Sequence, residues 1–289
     1  MSARQGVDVR AAASSVHDAL VAAYDGQRAR TTGPRPDAWA GCAQSFKADP
    51  RRELDALLAK IASHLRADDT LIDVGGGAGR MSLPLALRCR QVINIDPSAA
   101  MHDVFDSAAS EAGIGNARFV QSGWLEAEGI EGDVALVAHV TYFVPKIVPF
   151  LEKLNKAARR RVVIAMRTVP PPNQVAPLFH AVHNEELAPV PGPKELLAVL
   201  DELGIHAATI DVGPAAAPST APVARTRADA MRIEIESATR AGWLKEHESD
   251  RLRRFIDDQF DELFVSTDQG FRRSIAAAAR DVLVTWETS

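Results

Sequence analysis

A short apolar strand runs straight into alternating glycines in Leu71-Ile72-Asp73-Val74-Gly75-Gly76-Gly77-Ala78-Gly79-Arg80. Glycine at such positions permits backbone angles that a side chain forbids, and leaves no Cβ between the main chain and a ligand lying across it. The stretch that follows, Met81-Ser82-Leu83-Pro84-Leu85-Ala86-Leu87, is apolar at helical spacing. Strand, glycine turn and helix make the first unit of a Rossmann-like sheet and point to an enzyme that holds a nucleotide cofactor.

The spacing discriminates between cofactors. Dinucleotide sites favour G-x-G-x-x-G, whose amides face a pyrophosphate, whereas here Gly75, Gly77 and Gly79 alternate and Asp73 stands two residues before the first. That acid repels a pyrophosphate but suits a cofactor with a cationic ammonium and sulfonium end. A nicotinamide oxidoreductase is therefore disfavoured. A second apolar strand, Gln91-Val92-Ile93-Asn94-Ile95, ends in Asp96, where an acid is placed to accept both hydroxyls of a ribose.

With D-x-G-x-G-x-G on the first strand and turn and an acid closing the second, residues 66 to 212 resemble the class I S-adenosylmethionine-dependent methyltransferases, and the resemblance returns near the C-terminus. It implies that Asp73, Gly75, Gly76, Gly77 and Gly79 hold the methionine end of S-adenosyl-L-methionine, with S-adenosyl-L-homocysteine as product. It implies that Asp96 binds the ribose, and that Pro97 and Met101 border ribose and adenine. After the third strand, Ala117-Arg118-Phe119-Val120-Gln121, many members carry Gly-Asp where this chain has Ser122-Gly123-Trp124. Ser122 or a main-chain carbonyl replaces the missing acid, with Gly123 and Trp124 against the ring. Ala138 and His139, at the end of the fourth strand, complete the expected cofactor edge.

The implied fold is α/β: a Rossmann-like, seven-stranded, mostly parallel sheet with helices on both faces. Residues 1–66 form an N-terminal helical cap, 67–212 the cofactor-binding core, 213–275 a helical insertion or lid, and 276–289 the final strand. By periodicity, helices cover 8 to about 30, ending at Gly26, and a stretch capped by Asp49 with Pro50 first and Leu54, Leu57, Leu58, Ile61 and Leu65 inward. The core alternates strand 70–74, helix 79–89, strand 91–95, helix 98–112, strand 117–121, strand 133–138, helix 145–158 and strand 161–166. Helices at 174–187 and 193–203 follow, then strand 205–211, an Ala/Pro-rich linker over 213–224, helical sequence over 226–263, and a last strand, Asp281-Val282-Leu283-Val284-Thr285-Trp286. In the resembled fold that strand is antiparallel and lies beside the fifth.

A net charge of -5 disfavours a nucleic-acid partner. No segment approaches the ~20 uninterrupted apolar residues of a membrane span, so a soluble, cytoplasmic protein is expected. Cys42 and Cys89 lack the spacing of a zinc knuckle or a disulfide framework and read as buried. The run Lys153, Lys156, Arg159, Arg160 and Arg161 closes a helix, where cations oppose the partial charge of the last carbonyls.

Ligands of open α/β sheets lie outside the carboxyl ends of the strands. His139 and Tyr142, just after the fourth strand, are the candidate catalytic residues: a neutral imidazole there can take a proton from an attacking oxygen or nitrogen, or can simply hold the strand end. Trp39, Phe46, Tyr142, Phe143 and Phe179 are candidate walls of an acceptor pocket. His180 and His183, with Glu186 a turn further, share a helix face, but two histidines without a firmly placed third ligand are not counted as a metal site. The pattern as a whole points to methyl transfer to a small-molecule acceptor. A protein or RNA acceptor, or a non-catalytic binding subunit that kept the fold, are the alternatives.

Overall fold

The computed structural model describes residues 12–33, 37, 39–215, 222–268 and 270–288. The strands are β1 (Thr70–Val74), β2 (Gln91–Asp96), β3 (Ala117–Gln121), β4 (Gly132–Ala138), β5 (Ala158–Arg167), β6 (Ala208–Pro214), β7 (Phe264–Thr267), β8 (Gly270–Arg273) and β9 (Arg280–Glu287). Seven of them form one sheet in the order β3-β2-β1-β4-β5-β9-β6. Strands β1 to β5 pair in parallel, and β9 lies antiparallel between β5 and β6, with Val163 opposite Thr285. The final strand thus returns where the resemblance implied.

Every residue of β1 is buried, as a central parallel strand requires, because its crossover helices cover both faces. The helices are α1 (Ala13–Thr32), α2 (Ala56–Ala62), α3 (Ser82–Ala86), α4 (Ala99–Glu111), α5 (Ile147–Ala157), α6 (Ala176–His183), α7 (Pro193–Glu202), α8 (Arg227–Ala241), α9 (Ser249–Asp258), α10 (Phe260–Leu263) and α11 (Ser274–Ala278). On one face α5 buries Ile147, Phe150, Leu151, Leu154 and Ala157, a stripe at helical spacing, and α7 adds Leu196, Val199 and Leu200. Leu57, Leu58 and Ile61 of α2 pack with α3 and α4 on the other. Helix α1 docks on α7 and α5: Ser14 Oγ donates to Glu202 Oε1 (2.8 Å), and Asp18 Oδ1 accepts from the Ile147 N–H at the start of α5 (3.2 Å).

Several boundaries differ from expectation for local reasons. Helix α1 passes through Gly26 and stops at Gly33, whose φ of 72° closes it. Residues 8–11 of the expected helix lie outside the described residues. Helix α2 begins six residues late. Asp55, not Asp49, is its cap and accepts from the Leu58 N–H at 2.8 Å, while Asp49 accepts from the Arg51 N–H in a turn. Helix α3 is a short piece of the expected 79–89. Strand β6 runs to Pro214, so the stretch assigned to a linker opens as sheet, and residues 216–221 of it are outside the described residues.

The sequence after the linker is not all helix. The hairpin of β7 and β8 follows α10, where Phe271 N–H donates to Ala224 O at 2.7 Å and a Cβ on Gly270 would strike that same carbonyl. Phe260, Phe264, Leu252 and Ile256 build a separate small core against Leu178 and Val182 of α6. Half-buried Glu234 and Arg273 (3.0 Å) bind α8 to β8 within it, and Arg273 also donates to Gln174 O (2.6 Å) after β5.

Candidate active site

The loop after β1 is fixed from below. Gly75 N–H donates to Ile95 O at 2.7 Å, and Asn94 Nδ2 donates to Gly77 O at 3.0 Å. Gly75 has φ 69° and a Cβ there would overlap Val140, so no other residue fits the turn. Beneath it Asp73 is wholly buried, and neither carboxylate oxygen has a hydrogen-bond partner among the described residues. Burial pushes its pKa up to about 7; the Ser82 hydroxyl, close but outside hydrogen-bond geometry, opposes the shift and the Asp96 charge adds to it. A buried carboxylate left without donors costs several kcal/mol, on the order of 3, unless a cation completes it.

Asp96 ends β2 with both oxygens partly engaged: Oδ2 accepts from the Gly77 N–H (3.1 Å) and Oδ1 from the Ser98 N–H (2.9 Å). Each oxygen keeps lone-pair capacity for one further donor, as a ribose diol demands. Burial, against those two amides, leaves its pKa raised. Ser98 caps α4 through the Met101 N–H (3.1 Å) and donates its hydroxyl to Asp37 Oδ2 (2.7 Å). A residue of the N-terminal segment is thereby tied to the cofactor edge. Met101 packs its sulfur under Gly77, while Pro97 stands exposed in the turn.

Beyond β3, Ser122 N–H donates to Asp96 O (3.2 Å) and its hydroxyl to Gly123 O (3.1 Å), so this turn abuts the end of β2. Trp124 does not face a ligand. Its indole is 6% exposed, donates Nε1–H to Phe150 O (3.2 Å) and carries the Lys153 ammonium 4.8 Å from the ring centre. An aromatic side chain packed into the sheet–α5 core leaves no face for adenine. The acid in this neighbourhood is Glu126: a Cβ on Gly123 would meet its Oε2. Sequence reasoning missed it because it sits on the turn beyond the motif position.

At the end of β4 the backbone turns sharply. His139 has φ 61°, a left-handed angle that is costly for a residue with a Cβ, and its N–H stays in register by donating to Ala165 O (2.9 Å). Ala138, the last strand residue, is half-buried. Tyr142 is 1% exposed, and its hydroxyl accepts from the Arg167 N–H (2.7 Å) and lies 3.3 Å from His139 Nδ1. A phenol that accepts from an amide has its own hydrogen left to donate. Directed at Nδ1, it assigns the imidazole proton to Nε2. The ring is partly open to solvent but closely ringed by protein, and burial, with Arg167 and Arg80 nearby, pushes its pKa down to about 3. His139 is neutral throughout the physiological range.

The segment from Asp37 to Phe46 reaches over this edge. Trp39 meets Phe46 (5.8 Å) and Phe143 (6.4 Å) edge-on, and the Arg80 guanidinium lies 5.7 Å from the Phe46 ring centre. Phe179 is buried against His183 and Trp243, on the side of the insertion. His183 Nε2 is engaged with Trp243 O (2.8 Å) and His180 with Glu186 (3.2 Å). Among the described residues no three His, Cys, Asp or Glu side chains converge on a metal position. Burial pushes the Cys89 thiol up to about 11, which suits packing rather than reaction.

A glycine loop above an unpartnered carboxylate, with a second carboxylate closing the neighbouring strand, is the cofactor edge of an α/β enzyme that handles a nucleoside carrying a cation. Residues 71–161, spanning β1 to the middle of β5, match the model of the methyltransferase domain family. Among curated proteins none matches the sequence. The fold is shared with the YcgJ protein of Bacillus subtilis (TM-score 0.54, 15% identity, covering 80% of this chain and 97% of that one). A methyltransferase-like protein of Bacillus halodurans superposes similarly (0.51, 12% identity, 79% and 95%), as does a Galdieria sulphuraria protein described as a sarcosine dimethylglycine methyltransferase (0.50, 11%, 80% and 84%). Residues 71–161 thus carry a methyltransferase domain, and the fold around them is one that methyltransferases share.

Proposed function

We propose that this protein transfers the methyl group of S-adenosyl-L-methionine to a small-molecule acceptor at the ends of β4 and β5. The observation that carries the cofactor assignment is Asp73, buried without a donor under the glycine loop. When bound, the cofactor supplies an activated methyl on a cationic sulfur. The chain's own residues hold and align: Asp73 and the loop take the cationic amino-acid end, Asp96 the ribose, and Ser122 with Glu126 border the base. In-line displacement needs the acceptor held at ~3 to 3.5 Å with water excluded, more than it needs acid or base help.

His139 fits that economy. A base is most effective when its pKa lies near the working pH, and one held near 3 is a weak proton acceptor. Its role is to donate Nε2–H to the acceptor and fix its approach, with Tyr142 as a positioning residue that fixes the tautomer. Of the cap, the described residues Asp37, Trp39 and Phe46 close the site, and the reading of 213–275 as a lid rests on the anchorage of its described part, Arg273 on Gln174 O, beside the exit of β5. Within the described residues no helix is long and apolar enough to cross a membrane, and the proposal places the reaction in the cytoplasm.

Calorimetric titration with S-adenosylhomocysteine tests the reading. Micromolar binding that Asp96→Ala abolishes, with no response to NADH, is the expected result. Absence of binding by folded wild-type protein would leave the fold as a scaffold for partner binding.

A further inference from the structure

Around the acceptor edge the charge is uneven. Arg80, the residue immediately after Gly79, is half-buried, makes no side-chain hydrogen bond or ion pair with a described residue, and rests on the Phe46 ring. The main chain beneath it is held, since Arg52 Nη2 donates to Arg80 O (2.7 Å). Arg167 stands at the end of β5 with Nε 3.3 Å from Asp281 Oδ1. Burial first, then the like charges of Arg167 and Arg52, hold the Arg80 guanidinium below its ordinary pKa, opposed by Asp55 and Asp281.

Arg52 lies near Asp55 and Asp49 and Arg167 pairs with Asp281, whereas Arg80 has no ion pair among the described residues. A half-buried guanidinium with no anion is as incomplete as Asp73 is without a cation, because each lacks the partner that offsets its desolvation.

Arg80 lies against Phe46, and Phe46 meets Trp39, which in turn meets Phe143 after β4. After burial, it lowers the pKa of His139 together with Arg167, so its charge is felt at the end of β4, where the acceptor is proposed to bind. Trp39, Phe46 and Phe143 supply apolar surface beside it.

We infer that Arg80, supported by Arg167, is the specificity residue of an anion subsite, and that the methyl acceptor is a small molecule with an apolar body and an oxyanion, carboxylate or phosphate. Guanidinium matches either group through two parallel N–H···O bonds, and the ring under it restricts its orientation. This inference rests on the methyltransferase reading, and its test separates the two.

Wild-type protein is first saturated with S-adenosylhomocysteine; failure at that step counts against the cofactor reading, not against Arg80. The loaded protein is then titrated with benzoate, phenyl phosphate and neutral benzyl alcohol. One of the two anions binds at least tenfold tighter than the alcohol, and which one does so identifies the oxyanion. Arg80→Gln removes the preference while S-adenosylhomocysteine affinity stays within about threefold, and Arg80→Lys restores part of it. Equal binding or no binding of all three probes, or a preference that survives in Arg80→Gln, overturns the inference. So does a large loss of S-adenosylhomocysteine affinity in Arg80→Gln, which would assign Arg80 to the cofactor's own carboxylate.

Discussion

The two ends of the sheet use the same residue types to opposite effect. At the end where β1 begins, Asp69 accepts from the Arg66 N–H (2.7 Å) and pairs with Arg160; Asp133 accepts from the Thr70 N–H (2.7 Å) and Arg159 (3.0 Å); Arg161 pairs with Glu287 (2.6 Å). At the end where β1 finishes, four residues on, Asp73 has no donor, Arg80 no anion, and His139 sits at a backbone angle it pays for in strain. The carboxylates at the first end are completed within the chain, although Arg160 Nε and His64 Nε2 there have no partner among the described residues. On the proposed function, those at the second end are left for a ligand to complete.

The largest expected effects come from breaking that division at Asp69 and Asp73. Asp69 is buried with the half-buried Arg160 beside it, so Asp69→Ala strands a cation and lowers stability by about 2–3 kcal/mol in urea unfolding, less than the loss for a wholly buried pair, with the affinity of surviving folded protein for S-adenosylhomocysteine unchanged. Asp73→Asn does the reverse. It removes the charge-assisted contact to the cofactor, on the order of 1.5–3 kcal/mol or roughly 10- to 150-fold in affinity by calorimetry. A loss of affinity in Asp69→Ala equal to that in Asp73→Asn would collapse the distinction.

Asp73 also makes stability depend on pH with a definite sign. Its folded pKa, about 7, lies above the ordinary value of 3.8, so between those values the folded protein binds the extra proton. Stability of the cofactor-free protein therefore falls as pH rises through that window, by an upper bound on the order of 4 kcal/mol. Asp73→Asn flattens the fall, and unfolding at pH 4.5 and pH 8 measures it. Binding of the cationic cofactor requires the carboxylate, so affinity rises through pH 7 with proton release, visible as a buffer-dependent heat. His139 acts oppositely: its folded pKa is depressed, so its contribution is present above the unfolded value of 6.5 and is lost as pH falls toward about 3.

Much of this contrast was legible in the sequence, and where it was not the reason is contact over distance. Gly75, Gly77, Asp73 and Asp96 carry a local pattern, and the structure brings them together as that pattern implied. Trp124 was assigned to the adenine because of its neighbours in sequence, yet Phe150 and Lys153, some 26 and 29 residues on, draw its ring into the core. Arg80 stood in plain view beside Gly79, but only the placement of Phe46, Arg167 and Asp281 shows it unpaired. Asp55 lost the cap of α2 to Asp49 in the reading because Pro50 looked like a first helical residue. The hairpin of β7 and β8 was hidden by strands of four residues, too short for an alternation to register against helical spacing.

The smallest effect sharpens the comparison most, because it asks whether pairing alone or burial decides. Arg159 meets Asp133 at 3.0 Å and Glu131 at 3.8 Å from a half-exposed position, whereas Arg160 reaches Asp69 inside the protein. Water screens the first more than the second, so Arg159→Ala costs at most about 1 kcal/mol and that cost shrinks in 0.5 M salt. Removing Asp69 costs several times more, with little salt dependence. Asp133 keeps the Thr70 N–H in either case, so β1 stays in register with β4. If Arg159→Ala proves as damaging as Asp69→Ala and as insensitive to salt, then the ion pairs at this end act as one network, and stability there is set by connectivity rather than by how deeply each charge is buried.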